Sequence, residues 1–435
     1  MLTDTNKVDD EQLNRPLLEM KGLRIEGLSE TGWQEIVRGV NLHLKRGEIL
    51  GLIGESGAGK STIGLAAMGY ARDGCRITEG DILFDGIELS SAPENEKRKL
   101  RGTRISYVAQ SAAAAFNPVH RLLDQFAEGP IEHGVMSRTE AMEKGRALYR
   151  SLDLPDPENI GERWAHQVSG GQLQRMMVAM AMSCGPDLII FDEPTTALDV
   201  TTQIEVLKTI KEIVNNSNVA ALYITHDLAV VAQLADHLMV LRHGNLVEVN
   251  STGQILEAPK EDYTRALLDA RTRHEKTAVQ ISDAETLLSI NSVTAGYGNG
   301  SDILQEVSVS VERGRTVAVV GESGSGKSTL ARVITGLLPQ RSGEIHFQSE
   351  SLPSALAQRS KQQLRKIQMI YQLPDVALNP RQRVRDILGR PLNFYLGLRG
   401  KECERRTIEL LEQIELSETY IDRLPDELSG GEKQR

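Results

Sequence analysis

The chain contains the stretch Gly54-Glu55-Ser56-Gly57-Ala58-Gly59-Lys60-Ser61 and repeats it as Gly321-Glu322-Ser323-Gly324-Ser325-Gly326-Lys327-Ser328. Both copies fit the pattern G-x-x-x-x-G-K-[ST], which chance rarely produces twice in one chain. Each copy precedes a helix-like stretch and follows an apolar, β-like run. The run is Ile49-Leu50-Gly51-Leu52-Ile53 before the first copy and Val317-Ala318-Val319-Val320 before the second. A strand, glycine-rich loop and helix in this order predict a nucleotide-binding protein.

The glycines of such a loop allow backbone N–H groups to approach phosphate oxygens, and the dipole of the following helix favours the same anion. We therefore expect Lys60 and Lys327 to reach the β- and γ-phosphates of ATP, and Ser61 and Ser328 to bind Mg²⁺. The expected nucleotide contacts are Gly54, Glu55, Ser56, Gly57, Ala58, Gly59, Lys60, Ser61 and Thr62 in the first loop, and Gly321, Glu322, Ser323, Gly324, Ser325, Gly326, Lys327, Ser328 and Thr329 in the second.

Composition is that of ordinary globular domains and limits the possible partners. The 435 residues are 40% apolar and 25% charged, with a net charge of −10 and 4% aromatic residues, so nothing supports a nucleic-acid partner. The three cysteines are far apart in sequence and are expected to be free thiols. The sequence shows no signal peptide and no apolar run long enough to predict a membrane span.

Two carboxylates follow the apolar run Leu188-Ile189-Ile190-Phe191. We expect Asp192 to hold Mg²⁺ through its water shell and Glu193 to polarise the water that attacks the γ-phosphate. A strand that ends in a charged turn is the alternative, but the preceding phosphate loop makes the catalytic interpretation stronger.

A Ser-Gly-Gly step also occurs twice, as Ser169-Gly170-Gly171 before Gln172 and as Ser429-Gly430-Gly431. It predicts a capped helix, here Gln172 to Cys184, whose start exposes backbone N–H groups to an anion. One phosphate does not need two such helix starts from one rigid domain. We therefore expect each nucleotide site to take its Ser-Gly-Gly step from the other unit. The residues then expected to contact ATP are Ser169, Gly170, Gly171 and Gln172, and Ser429, Gly430 and Gly431.

The order of phosphate loop, Gln110, Ser-Gly-Gly-Gln, Asp-Glu and His226 resembles the nucleotide-binding domain of ABC transporters, over residues 17–270 and again over 286–435. The resemblance implies an α/β fold of the P-loop NTPase class in tandem, each domain having a RecA-like core with antiparallel β and helical subdomains. It also implies that Gln110 and Gln372 contact Mg²⁺ and the attacking water, and that His226 contacts the γ-phosphate. Tyr297 is the aromatic residue that would stack on adenine in the second unit, and Trp33 is the nearest equivalent in the first.

Three short segments resemble one subfamily, the fused ATPases of importers for dipeptides, oligopeptides, glutathione and nickel. They are 257–268, which contains Tyr263-Thr264-Arg265-Ala266-Leu267-Leu268, and the two steps Asn117-Pro118 and Asn379-Pro380. A helix that only packs on the core is the alternative for the first segment. The resemblance implies a peripheral ATPase on the cytoplasmic face of the inner membrane. Its partners would be two transmembrane permease subunits and a periplasmic solute-binding protein.

The expected domains are a disordered tail at 1–16, a first ATPase domain at 17–270, a solvated linker at 271–285 and a second domain at 286–435. The sequence ends at Arg435, where the second Ser-Gly-Gly helix begins, so we expect the second domain to be incomplete. On this basis the second site binds ATP but hydrolyses it poorly, and the second domain is marginally stable because strands that normally cover its sheet are missing.

Two other functions remain open at this stage. One is a soluble tandem ABC protein that acts on ribosomes, which typically has a longer charged helical linker between its domains. The other is a regulator that binds ATP without hydrolysing it. Co-sedimentation with ribosomes would favour the first, and absence of steady-state ATPase activity would favour the second.

Overall fold

A computed structural model describes residues 15–29, 32–55, 57–195, 198, 200–272, 285–298, 300–322, 324–372, 374 and 377–435. The chain divides into two compact units, Met1–Thr277 and Ala278–Arg435. The expected contacts Ser56 and Ser323 lie outside the described residues, as do positions 1–14 of the expected tail and 273–284 of the expected linker. Positions 271 and 272, which we expected in the linker, instead belong to a helix.

The described residues of the first unit form two sheets. Its strands are β1 Leu18–Ser29, β2 Gly32–Leu44, β3 Ile49–Gly54, β4 Cys75–Phe84, β5 Ile87–Glu88, β6 Ile105–Val108, β7 Leu188–Asp192, β8 Ala220–Ile224, β9 His237–Arg242 and β10 Asn245–Ser251. Its α-helices are α1 Lys60–Ala66, α2 Glu94–Leu100, α3 Ala112–Ala115, α4 Leu122–Glu132, α5 Arg138–Ser151, α6 Gly170–Ala181, α7 Val200–Ser217, α8 Leu228–Val231, α9 Thr252–Glu257 and α10 Asp262–Thr272. Short 3₁₀ helices span Ile160–Glu162 and Ala165–Gln167.

The larger sheet has the strand order β10-β9-β3-β8-β7-β6, and only β10 at its edge runs antiparallel to its neighbour. The carboxyl ends of parallel strands meet at one edge of a sheet, which is where α/β proteins bind their ligands. This edge therefore collects the phosphate loop after β3, Gln110 after β6, Asp192 at the end of β7 and His226 after β8. The order of the strands, rather than proximity in sequence, brings these residues together.

Apolar residues on the two faces of this sheet belong to two separate cores. Ile105, Leu188 and Ile190 pack with the antiparallel sheet β2-β1-β4-β5, in what we call the β-side core. Val108 and Phe191 pack with helices α4 to α6, in the helical-side core. Alternation of side chains along each strand explains the division, and burial on both faces explains why β3 and β7 are almost entirely apolar.

Four charged residues join the antiparallel sheet to the larger sheet. Asp187, just before β7, accepts hydrogen bonds from Arg46 Nη1 and Arg104 Nε, each at 2.6 Å. Asp85, just after β4, accepts from Arg104 Nη2 at 2.5 Å and lies 3.2 Å from Arg46 Nη2. The hydrogen bond from Arg104 is the main cause that lowers the pKa of Asp85. Each carboxylate thus bridges two arginines in a closed ring of four half-buried side chains.

The described residues of the second unit form one antiparallel sheet, with the order β12-β11-β13-β14. Its strands are β11 Thr286–Ala295, β12 Leu304–Glu312, β13 Ser342–Phe347 and β14 Glu350–Ser351. Its α-helices are α11 Lys327–Ile334, α12 Lys361–Lys366, α13 Val384–Leu396, α14 Gly400–Gln413 and α15 Gly430–Gln434. Short 3₁₀ helices span Leu356–Gln358, Glu418–Asp422 and Pro425–Glu427.

The β-like run at Val317–Val320 is not a strand, so that expectation was wrong. Residues 315–322 form no strand, and Val320 is 87% exposed. Ile370, two residues before Gln372, is likewise 85% exposed. The corresponding β3 of the first unit is hydrogen-bonded on both sides, by β8 and β9. The described residues of the second unit contain no parallel strand to fill those places. A β-like sequence without partners for its N–H and C=O groups does not become a strand.

Other local expectations differ from the structure by a few residues. Helix α6 begins at Gly170 and ends at Ala181, whereas we expected Gln172 to Cys184. Its earlier start follows from the cap, because Ser169 already accepts the hydrogen bond from the N–H of Gln172. All three cysteines are free thiols. None of the helices in the described part of the chain has both the length and the apolar character needed to cross a bilayer.

Candidate functional site

The first phosphate loop joins β3 to α1 in a conformation that its glycines make possible. Gly54 and Gly59 have φ angles of 150° and 92°. A Cβ atom on Gly54 would lie 2.2 Å from the carbonyl oxygen of Leu241, and one on Gly59 would lie 3.1 Å from that of Ile36. Gly54 therefore has no room for a side chain, and at Gly59 the positive φ angle is one that residues with side chains rarely adopt. The loop ends at the N-terminus of α1, where free N–H groups favour an anion.

Lys60 is the first residue of α1 and is only 6% exposed. Its ammonium donates hydrogen bonds to the carbonyl oxygens of Gly54 and Glu55, at 2.8 and 2.9 Å. Burial lowers the pKa of Lys60, and the nearby carboxylates, Glu193 foremost, oppose that shift. The loop thus folds around its own lysine and holds the Nζ atom where the sequence predicts phosphate.

Ser61 and Asp192 lie together beside the loop. Ser61 Oγ donates to Asp192 Oδ1 at 2.8 Å, and Asp192 is 5% exposed. A hydroxyl and a carboxylate in contact are the hard oxygen ligands that Mg²⁺ uses together with nucleotide phosphates. No group of three or more His, Cys, Asp or Glu side chains suited to a metal occurs among the described residues. The residues present fit a Mg²⁺ ion that arrives with a nucleotide.

Tyr107 also contacts Asp192, and the sequence interpretation missed it. Its hydroxyl donates to Asp192 Oδ2 at 2.5 Å. Burial, and then this hydrogen bond, raise the pKa of Tyr107, so the phenol keeps its proton and remains a donor. The sequence carries no signal for this contact, because it arises only when the strand of Tyr107 pairs with the strand that carries Asp192.

Glu193 lies between Gln110 and His226. Glu193 Oε2 accepts a hydrogen bond from Gln110 Nε2 at 3.0 Å, and Oε1 lies 3.1 Å from His226 Nδ1. A carboxylate can only accept hydrogen bonds, so the Nδ1 atom carries the hydrogen in this pair. Glu193 has a φ angle of 48°, which is uncommon for a residue with a side chain. All three residues expected to be catalytic therefore meet after the carboxyl ends of β6, β7 and β8.

The first Ser-Gly-Gly step forms a capped helix start. Ser169 Oγ accepts from the N–H of Gln172, and Gln172 Oε1 accepts from the N–H of Ser169, which is a capping box. Gly171 cannot carry a side chain without crowding Thr202, because its Cβ would lie 2.3 Å from Thr202 Cγ2. The structure gives Ser169–Gln172 no hydrogen bond to the described part of the loop Gly54–Thr62. Their contact with ATP stays a prediction.

The two expected adenine-stacking residues differ in their surroundings. Trp33 is part-exposed near the start of β2, and the guanidinium of Arg76 lies 4.1 Å from its ring centre. Arg76 therefore covers one face of the indole. Tyr297 is part-exposed, and its hydroxyl accepts a hydrogen bond from Arg332 at 2.7 Å. A hydrogen bond from Thr329 lowers the pKa of Tyr297, and Arg332 acts in the same direction.

Among its described residues, the second unit repeats the loop without a parallel sheet around it. Lys327 donates to the carbonyl oxygens of Gly321 and Glu322, at 2.7 and 2.6 Å, as Lys60 does in the first unit. Gly326 has a φ angle of 94°, close to that of Gly59. Local sequence is therefore enough to shape the loop. Lys327 is less buried than Lys60, however, and Ser328 and Gln372 are exposed and have no contact with a carboxylate like Asp192 in the described residues.

The second Ser-Gly-Gly step opens α15 with the same kind of cap. Ser429 Oγ accepts from the N–H of Glu432, and Glu432 Oε2 accepts from the N–H of Ser429. Glu432 also accepts from the Tyr420 hydroxyl at 2.6 Å. The tyrosine hydrogen bond, followed by the serine N–H, lowers the pKa of Glu432 to about 2. A Cβ atom on Gly430 or Gly431 would meet no other atom within 4 Å.

The segment after the first core packs on that core. Helix α10 carries Tyr263, Leu267 and Leu268 against the helical-side core. Buried Glu248 accepts hydrogen bonds from the N–H groups of Lys260 and Glu261, at 2.9 and 3.2 Å, just before the helix starts. This packing agrees with both interpretations of the segment, as an importer feature and as an ordinary packed helix.

Comparison with known proteins gives consistent results. The model of the ABC transporter family matches residues 37–196 and 304–435. The glutathione import ATP-binding protein GsiA of Salmonella paratyphi A is 34% identical over 467 aligned residues, which cover 98% of this chain and 75% of that protein. GsiA of Escherichia coli O6:H1 is 34% identical over 463, covering 96% and 74%. A solved dimer of the ATP-binding cassette MJ0796 with ADP and phosphate covers 54% of this chain and 98% of its own, at 24% identity and a TM-score of 0.49.

Proposed function

The chain belongs to the ABC transporter family, and from that premise we propose that it is the ATP-hydrolysing subunit of an importer for peptides or related small solutes. ATP-binding proteins of such importers hydrolyse ATP to drive transport. Two relatives that are 34% identical to this chain are glutathione import ATP-binding proteins, so glutathione and short peptides are the solutes we propose first.

In this proposal, the residues around the first phosphate loop have distinct roles. Lys60 and the N–H groups of the loop bind the phosphates, and Ser61 with Asp192 holds Mg²⁺. When bound, Mg²⁺ neutralises charge on the phosphate oxygens. Glu193 accepts a proton from the attacking water, which requires that its carboxylate be ionised and fixed in direction.

One observation carries the proposal: Glu193 is held from two sides, by Gln110 and His226. Each carboxylate oxygen has its own hydrogen-bonding partner, at 3.0 and 3.1 Å. A base held in this way keeps a fixed orientation toward a water molecule. A carboxylate that only ended a strand would not need both partners.

The remaining assignments are proposed on sequence grounds. We include the loop of the second unit with Lys327, Ser328 and Gln372, the two Ser-Gly-Gly steps as phosphate contacts, and Tyr297 as the adenine-stacking residue. The domains are proposed at 17–270 and 286–435. Two permease subunits and a periplasmic solute-binding protein are the proposed partners, and the cytoplasmic face of the inner membrane is the proposed location.

An uptake measurement tests this function. In cells that carry the gene, deletion should abolish uptake of labelled glutathione or of a labelled dipeptide. The wild-type chain should restore it, and a Lys60→Ala variant expressed at the same level should not. Unchanged uptake of both solute classes in the deletion strain would refute the proposed substrate. Restoration by the Lys60→Ala variant would refute the role of ATP in the first unit.

A further inference from the structure

We propose that Tyr107 is a positioning residue for the Mg²⁺–ATP site of the first unit, because its hydroxyl fixes Oδ2 of Asp192 and so turns Oδ1 toward Ser61 and the metal. The inference rests on the proposed ATPase function and adds to it a residue that the motifs do not contain. Tyr107 is neither a metal ligand nor a catalytic group in this proposal, since it acts only through Asp192.

The register of the sheet puts Tyr107 within reach of Asp192. Strands β6 and β7 are parallel, and Tyr107 lies opposite Ile190. Side chains alternate along a strand, so Asp192, two residues beyond Ile190, is on the same face as Tyr107. A diagonal neighbour at this spacing is within reach of a long aromatic side chain. The hydroxyl indeed lies 2.5 Å from Oδ2.

The two oxygens of Asp192 have different partners. Ser61 Oγ donates to Oδ1 at 2.8 Å, whereas Tyr107 donates to Oδ2. Ser61 and Asp192 are both expected to hold Mg²⁺, Asp192 through water, and the Ser61 hydroxyl can bind a metal through a lone pair while it still donates its hydrogen to Oδ1. Tyr107 is not a ligand and can keep its hydrogen bond throughout. The tyrosine therefore prevents the buried carboxylate from rotating and leaves one defined oxygen for the metal.

The second unit shows that the family motifs do not require this tyrosine. Met369 lies three residues before Gln372, just as Tyr107 lies three residues before Gln110. A thioether has no hydrogen to donate, so Met369 cannot hold a carboxylate in this way. The hydrogen bond is thus a property of the first unit, whose site also has the ordered sheet around it.

A purely structural role for Tyr107 is the alternative. Its ring packs against the β-side core, and this packing alone could explain an aromatic residue at the position. A Tyr107→Phe variant keeps the ring and removes only the oxygen, so it separates the two roles. Tyr107→Met introduces the residue of the second unit and should behave like the Phe variant in metal binding.

The test measures Mg²⁺ dependence rather than turnover. The full chain carries Lys327→Ala in every sample, so that binding of a fluorescent ATP analogue reports on the first loop. Binding is followed as Mg²⁺ is added, and also in EDTA. Loss of a group that orients a metal ligand typically costs 10- to 100-fold in metal affinity, so Tyr107→Phe should need about tenfold more Mg²⁺ for half-maximal binding. Binding in EDTA should match that of the parent.

The control is Tyr149→Phe, which removes a phenol hydroxyl from a buried ring that packs edge-on against Phe126 in the helical part. This variant should need the same Mg²⁺ concentration as the parent. A Tyr107→Phe midpoint within twofold of the parent would overturn the inference, and so would an equal loss of binding in EDTA. If the parent bound no nucleotide, the proposed function itself would fail, and the inference with it.

Discussion

Replacement of Glu193 by Gln tests how the catalytic residues work together. An amide has one acceptor oxygen and one NH₂ group, whereas Gln110 and His226 both offer N–H donors to Glu193 at 3.0 and 3.1 Å. The variant side chain can therefore accept only one of the two hydrogen bonds, and it can no longer take a proton from water. Loss of a general base typically costs about 10²- to 10⁴-fold, which corresponds to ~3–5 kcal/mol in the barrier.

The expected result is a kcat at least about 10²-fold lower than that of the wild type. Affinity for ATP should stay within about twofold, because the phosphate contacts of Lys60 and the loop are untouched. The assay combines steady-state phosphate release with equilibrium binding of ATP. Glu212→Gln is the matched control, since Glu212 is an exposed carboxylate on α7 that pairs with Lys208 at 3.8 Å. A kcat for Glu193→Gln within threefold of this control would refute the assignment of the base.

Two further predictions concern stability. Asp187→Ala removes two charge-assisted hydrogen bonds from the half-buried ring of Arg46, Asp85 and Arg104, so it should cost about 2 kcal/mol and lower the melting temperature by roughly 4–8 °C. Asp124→Ala breaks only an exposed ion pair and should cost less than about 1 kcal/mol, and equal melting temperatures for the two variants would contradict the account. Because folding lowers the pKa of Glu432 from 4.5 to about 2, its stabilising contribution is complete above pH 4.5 and is lost as the pH falls toward 2. The difference in melting temperature between wild type and Glu432→Gln should therefore shrink over that range, and a constant difference would argue against this cap.

Residues fixed by local chemistry were predictable from the sequence. The phosphate loop follows from its glycines, and the same loop shape with Lys327 forms where no parallel sheet surrounds it among the described residues. The Ser169 and Ser429 caps also follow from local sequence, because the serine and the residue three positions later complete each other's hydrogen bonds. These features depend on only a few neighbouring residues.

Contacts that depend on strand register were harder to predict. The hydrogen bond from Tyr107 to Asp192 requires that β6 and β7 be parallel neighbours in one particular register. The bonds of Asp187 to Arg46 and Arg104 likewise join residues that are distant in sequence. A single sequence contains no spacing rule for such pairs, because the strand order that brings them together is itself a result of the whole fold.

At Val317–Val320 the sequence predicted a strand that does not form. Its composition matches that of β3, and this resemblance led to the expectation of a strand. Composition describes only what a segment can become, whereas a strand also needs neighbours that satisfy its backbone. The strand therefore depends on partner strands, whereas the phosphate loop forms without them.

The central claim is that the two lysine-containing loops bind the phosphates of ATP. Equilibrium binding of Mg²⁺–ATP to the wild-type chain and to a Lys60→Ala, Lys327→Ala double variant tests it most directly. Loss of charge-assisted contacts at each loop should weaken binding by about 10- to 100-fold. Affinity of the double variant within twofold of the wild type would show that ATP binds elsewhere, and the account would be wrong.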